Sequence, residues 1–246
     1  CRVEAQRRLL ATDELAAHAA EYRAFDGSHE EIHGSRLHLG PVDGALLYHM
    51  VRRLKPKRVI EIGQGSSTRI IMSALQANGG LHKDGFFKSI DPYPHTFTTE
   101  EEFGEVEVIE SEVQVVSLDV FEELRAGDIL FIDSTHVAKI DSDVVFEINE
   151  ILPRLAEGVH IHVHDIYFPF EYAREWVKDR HIFWNEQYML QAFLAFNDAF
   201  EITWSAGIAR AEFPDEVTEK IPEFDPRIQM AGSIWLRRKT AAERRS

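Results

Sequence analysis

The sequence predicts an α/β fold built on a mostly parallel sheet, and three observations predict it. First, Arg58-Val59-Ile60-Glu61-Ile62 is a β-branched apolar run, too short for a helix, that turns through Gly63-Gln64-Gly65 into a helical pattern. Second, Ile129-Leu130-Phe131-Ile132 is apolar at every position, as a central parallel strand covered on both faces must be. Third, Glu61, Asp91, Asp133, His164 and Asp165 fall at or near the ends of different strand candidates. An open α/β sheet gathers such positions at one edge, where its ligands bind.

Composition bounds the partners. The 246 residues suffice for one sizeable domain with additions, and no Pro-, Gly- or Ser-rich stretch marks a linker. With 42 acidic and 27 basic residues the net charge is −15, and the main basic cluster is Arg237, Arg238, Lys239, Arg244 and Arg245. A nucleic-acid surface needs a concentrated basic face, so no nucleic-acid partner is expected, and small neutral or cationic molecules suit the chain better. Cys1 is the single cysteine, so no intrachain disulfide forms and a reducing, cytoplasmic setting is expected. No apolar run reaches the ~18 residues of a membrane span, so no membrane partner is expected.

In chain order, residues 4–22 predict a helix with Leu9, Ala16, Ala17 and Ala20 on one side, read as a packing or homodimer helix in preference to a substrate lid. Residues 29–41, with His33 and His38, read as a flap, so 1–42 form an N-terminal helical extension ahead of the main domain, 43–240. Residues 43–54 predict a helix burying Leu47, Met50, Val51 and Leu54. After the first strand, the glycines let the backbone turn and approach a ligand closely. Ser66, Ser67 and Thr68 can cap a helix whose free amides favour a carboxylate or phosphate. That helix buries Ile70, Ile71, Ala74 and Leu75 and stops at Asn78-Gly79-Gly80. A second strand, 86–90, leads to Asp91 and the rigid turn Pro92-Tyr93-Pro94-His95; a third covers 106–110, with a small helix at 118–124.

The fourth strand ends in Asp133-Ser134-Thr135-His136, a helix follows over 140–152, and a fifth strand, 159–165, carries His160, His162 and His164 on one face. His160 and His162 read as core histidines with satisfied nitrogens. The aromatics from Tyr167 to Trp176 read equally as an acceptor-pocket wall and as loop packing. Trp184-Asn185-Glu186-Gln187-Tyr188 opens a helix, with Asn185 as N-cap and Met189, Ala192, Phe193, Phe196 and Phe200 as its core stripe. Strands at 200–204 and 233–236 complete the chain.

Two glycines, with Thr68 where a third should stand, and an acid further away than about 20 residues, argue against a dinucleotide site. An E-x-G-x-G turn followed by a second strand ending in an acid instead resembles class I S-adenosylmethionine (SAM) dependent methyltransferases. The blocks 128–136, Ser142-Asp143-Val144, Leu152-Pro153-Arg154-Leu155, His162-Val163-His164-Asp165-Ile166 and Trp184-Asn185-Glu186-Gln187-Tyr188 resemble a family of small bacterial class I methyltransferases. The strand-end acids are more distantly similar to metal-dependent catechol-type and macrolide-sugar O-methyltransferases. The resemblance implies a Rossmann-like, mostly parallel seven-stranded sheet with an antiparallel last strand. It implies SAM as cofactor, with Glu61, Gly63, Gly65 and Ser67 around its methionine side, Asp91 on the ribose, Val113 and Gln114 on the adenine, and Asp133 beside the donor. The acceptor it implies is a hydroxyl of a small molecule or sugar.

The same resemblance puts a divalent metal on Asp133, His164 and Asp165. An imidazole in that set favours manganese, iron, cobalt or zinc, whereas magnesium prefers oxygen donors. A metal would align and acidify the acceptor hydroxyl; without one, His136 or His164 would serve as general base, with Asp165 nearby. Both routes stay open at the level of sequence, as does a protein of this fold that binds SAM or a nucleotide without methyl transfer. The spacing His162-Val163-His164-Asp165 does not begin a non-haem iron triad.

Overall fold

The computed structural model describes residues 3–33, 39–94 and 106–245. Strands β1 (Arg58–Ile62), β2 (Phe86–Ile90), β3 (Val106–Ile109), β4 (Ile129–Ile132), β5 (His160–His164), β6 (Phe200–Ser205) and β7 (Ser233–Arg238) form one seven-stranded sheet in the order β3-β2-β1-β4-β5-β7-β6. The pairs from β3 to β5 are parallel, and β7 alone runs antiparallel, to both β5 and β6. This is the Rossmann-like arrangement expected from the sequence, antiparallel last strand included.

Alternation along the strands explains why the sheet is covered on both sides. Val59, Ile129 and Phe131 face one layer, with Leu46, Val51, Ile70 and Ile71 of the helices α3 (Pro41–Leu54) and α4 (Ser66–Ala77). Ile60, Ile62, Leu130 and Ile132 face the other, with Ile148, Ile151 and Leu190. The first layer also takes in Leu10, Leu15 and Ala19, so helices α1 (Val3–Leu10) and α2 (Asp13–His33) share the core of the sheet.

Several elements depart from the pattern read in the sequence. The N-terminal helix breaks between Leu10 and Asp13, and its buried side is Leu15, Ala19 and Tyr22, one step round from the alanines expected there. Helix α2 runs to His33, through part of the expected flap; His38 lies outside the described residues. Over 143–154 the helix changes pitch, from α (Asp143–Phe146) to π (Glu147–Ile151) to 3-10 (Leu152–Arg154), and Ile140 stays outside it, exposed. After the short helices α5 (Leu118–Phe121), α6 (Asp143–Phe146) and α7 (Arg174–Lys178), helix α8 (Glu186–Leu194) ends before Phe196, which has a positive φ and is fully exposed; its buried core residue is Leu190, and Met189 and Phe193 of the expected stripe pack partly buried against the same cluster. Between β6 and β7 the chain forms two further helices, Ala206–Glu212 and Pro214–Lys220.

Backbone hydrogen bonds continue the ladder past the strand ends: Gly63 N donates to Ile90 O and Asp133 N to Ile62 O, both at 2.9 Å, and Asp91 N donates to Ile109 O at 3.1 Å. The glycine turn, Asp91 and Asp133 therefore lie side by side on the carboxyl rim. Gly63 sits at φ +87°, and a Cβ there would come within 1.9 Å of the Asp133 carbonyl oxygen. At Gly65 a Cβ would meet nothing within 4 Å, and φ is extended at −174°. Gly63→Ala is expected to lower stability by at least about 2 kcal/mol in urea unfolding, and Gly65→Ala by about 1 kcal/mol or less; equal effects would contradict the close approach.

Candidate active site

The glycine turn is anchored from below. Glu61 is fully buried, and its carboxylate accepts from Ser67 Oγ, Thr68 Oγ1 and Ser89 Oγ, each at 2.7 Å. Thr68 Oγ1 in turn accepts from Gly65 N at 3.2 Å, closing the first turn of α4. Burial outweighs these hydrogen bonds and pushes the Glu61 pKa up from 4.5 to about 7. Glu61 and Ser67, expected beside the cofactor, thus point inward and support the turn; of the hydroxyls expected as helix caps, Ser67 and Thr68 donate to Glu61, and Thr68 also accepts from the N-cap amide.

Above the turn lies a cavity of about 510 Å³, of the size that small ligands fill. Gly63, Asp91, Val113, Gln114 and Asp133 line it, together with Tyr93, which is 84% exposed. Gly65 does not. Asp91 accepts from Gln64 N at 2.8 Å and Tyr93 N at 2.7 Å, which fixes its carboxylate while leaving lone pairs for a ligand. The Gln114 side chain donates to Asp141 O at 3.3 Å.

At the rim of this cavity Asp133, His136 and Asp165 converge: one ligand atom from each lies within 4.8 Å of the others. His136 Nε2 is 3.2 Å from Asp133 Oδ1 and 3.5 Å from Asp165 Oδ2. Behind it, Nδ1 lies 2.8 Å from Glu186 Oε2, and behind Asp165, Tyr167 Oη donates to Oδ1 at 2.6 Å. Such outer partners fix the ring and carboxylate of metal-binding residues. Both His136 and Asp165 have left-handed backbones, φ +60° and +54°, a conformation that residues other than glycine adopt at a cost and that clusters at functional sites. The loop is pinned by Asn185, whose N–H donates to His136 O at 3.0 Å and whose Oδ1 accepts from Ala138 N at 2.6 Å. Asn185 occupies the N-cap position of α8, as expected, but its side chain holds this loop rather than the helix.

Of the expected metal set, Asp133 and Asp165 fall in this cluster together with His136, and His164 does not. Strand alternation turns His164 into the layer occupied by His162, and its Nε2 stays 3.8 Å from Asp165 Oδ1. His162 stacks on Phe131 at 4.5 Å with both ring nitrogens buried and unbonded, contrary to the satisfied nitrogens expected there. Glu186 and Tyr167 were not singled out as site residues. Glu186 reads as an ordinary acid in the first turn of a helix, and only the left-handed bend at His136 brings the two together.

Electrostatics follow from this crowding. Burial opposes the charge on His136, but the hydrogen bonds and charges of Asp133 and Glu186 prevail and push its pKa up to about 11. Burial likewise disfavours the Asp133 carboxylate, yet the neighbouring His164 and His136 hold it below its ordinary value. Burial raises Glu186, and Glu147, whose Oε2 accepts from Ser134 Oγ at 3.1 Å, is raised further by burial and the Glu186 charge. His136 is thus flanked by carboxylates at both ring nitrogens, which favours positive charge at this point of the site.

Residues 60–166, from β1 to the turn after β5, match the family model described as a methyltransferase domain. Strand order and this match agree with the resemblance to class I SAM-dependent methyltransferases read in the sequence. No curated protein matches the chain. Among solved structures it is similar to the SAH-bound methyltransferase PaMTH1 of Podospora anserina, at 17% identity over 93% of this chain and 89% of that one, with a TM-score of 0.49. It is also similar to the O-methyltransferase TomG from Streptomyces achromogenes in complex with SAM, at 15% identity over 93% and 91%, TM-score 0.49. An O-methyltransferase from Bacillus cereus in complex with SAH matches at 14% identity over 91% of each chain, TM-score 0.48.

The Glu61 anchor has a measurable signature. A carboxyl whose folded pKa, about 7, lies above its ordinary 4.5 binds its proton more tightly in the folded state. Its contribution to stability is fully present below the lower value and is lost as pH rises through the upper one, a change of about 3 kcal/mol. Urea unfolding of wild type and Glu61→Gln at pH 5 and pH 8 is expected to show a stability difference that shifts against the wild type at the higher pH; parallel pH profiles would contradict the assignment.

Proposed function

We propose that the protein transfers the methyl group of SAM to a hydroxyl of a small molecule or sugar, assisted by a divalent metal held by Asp133, His136 and Asp165. The observation that carries this reading is the convergence of those three ligand atoms at the rim of a cavity that shares Asp133. On the donor side, Asp91 would take the ribose hydroxyls, Val113 and Gln114 the adenine, and the Gly63 turn the methionine portion. Asp91, Glu112, Asp133, Asp141 and Asp143 make the cavity wall acidic, which suits a sulfonium cation.

Two carboxylates and one imidazole form a donor set that fits manganese, iron, cobalt or zinc better than magnesium. A metal there would lower the pKa of the acceptor hydroxyl and orient it. Glu186 keeps the His136 ring turned so that Nε2 faces the two aspartates, and Tyr167 does the same for Asp165. Transfer itself then rests on proximity and alignment of acceptor and donor. The general-base reading is less well supported, because carboxylates engage both nitrogens of His136.

Isothermal titration is expected to show SAM binding that Asp91→Ala weakens at least about tenfold, ~1.4 kcal/mol; no measurable SAM affinity would reject the reading. Methyl transfer to a panel of hydroxyl acceptors should be lost on chelation and restored by manganese(II). Asp165→Asn should abolish that restoration, and Glu186→Gln should weaken manganese binding by about 10- to 100-fold. Transfer unaffected by chelation would remove the metal from the account.

A further inference from the structure

A second cavity, of about 550 Å³, lies at the opposite end of the sheet. Its wall includes His160, at the amino end of β5, whereas Asp165 follows the carboxyl end, roughly 16 Å away along an extended strand. Leu9 of α1 and Met50 and Leu54 of α3 give it an apolar floor, backed by the buried Trp204 of β6. In β6, an irregularity between Ile202 and Trp204 brings the consecutive residues Glu201 to Trp204 onto the wall, where a regular strand would present alternate ones.

The charges around this cavity are sorted. Arg7 on α1 is bound to Glu216 and Arg52 on α3 to Glu21, with Arg52 Nε 2.9 Å from the carboxylate. Their sequence neighbours Arg8 and Arg53 line the cavity, are exposed, and pair with no carboxylate among the described residues. Glu201, the acid on the wall, is held by Arg237 at 2.7 Å. An apolar hollow with two uncommitted guanidinium groups is unusual in a chain of net charge −15. Guanidinium groups favour carboxylates and phosphates, which they can bind through paired hydrogen bonds.

We propose that this cavity is a second small-molecule site, separate from the donor cavity, that takes an amphipathic anion: an apolar ring or short chain ending in a carboxylate or a phosphate monoester. The apolar body packs on Leu9, Met50 and Leu54, and the anionic end meets Arg8 and Arg53.

Calorimetric titration of the full chain with 4-phenylbutyrate and with phenyl phosphate tests this, with 4-phenylbutanol as the uncharged control. Saturable binding of either anion is expected, at least tenfold tighter than the alcohol and retained when SAM is saturating. The preferred anion identifies the headgroup. Arg8→Ala/Arg53→Ala should weaken binding at least tenfold, while Arg7→Ala, altering an arginine bound to Glu216, should leave it unchanged; circular dichroism checks that each variant is folded. If the double variant does not fold, chemical-shift changes in wild type on adding the anion, confined to α1, α3 and β6, decide the matter. No binding by either anion, equal binding of the alcohol, displacement by SAM, or a dimer in solution that covers α1 and excludes the anion would each overturn the proposal.

Discussion

The buried carboxylate of Glu61 is the constraint on which the rest of the rim depends. One side chain ties the end of β1 to β2 through Ser89 and to the first turn of α4 through Ser67 and Thr68. Thr68 passes the restraint on to Gly65, and the turn so held presses Gly63 against the Asp133 carbonyl. A charged group in such a place is costly unless hydroxyls surround it, which explains why the three donors around it are all Ser or Thr. The rim acids Asp91 and Asp133 are positioned by backbone bonded to this network.

From there the site divides into two halves that share Asp133. Toward the glycine turn lies the acidic cavity suited to the donor; toward β5 lies the cluster with His136 and Asp165. The second half is held by a different device, two left-handed residues with outer partners, Tyr167 two residues on from Asp165 and Glu186 from a distant segment for His136. Glu186 and Asn185 arrive from the start of α8, some 50 positions along the chain from His136 and Ala138, and grip the loop after β4 from both its side chains and its backbone. Trp184, beside them, packs its ring 4.5 Å from that of His136.

Much of the scaffold was legible in the sequence because it follows from local rules. The β-branched run into Gly63, the unbroken apolar strand at 129–132 and the alternation in β5 each map onto one strand in the expected place. The acids at strand ends converged because a parallel sheet leaves them no other edge. What could not be read were features that depend on a single backbone dihedral or on a partner far away. The resemblance put His164 in the metal set; the left-handed bend at His136 brings a different imidazole to Asp133 and Asp165. Glu61 looked like a cofactor contact from its place beside the glycines, but its side chain points into the sheet layer. Phe196 continued a helical stripe in the sequence and lies outside it because the helix has already ended.

The most direct test of this account is a crystal of the protein grown with manganese(II) and SAH, using the anomalous signal of manganese to locate the ion. The account predicts a peak bounded by Asp133, His136 and Asp165, with SAH on the Gly63 and Asp91 side of Asp133. A peak coordinated by His164 in place of His136, or SAH seated away from Asp91, would contradict it.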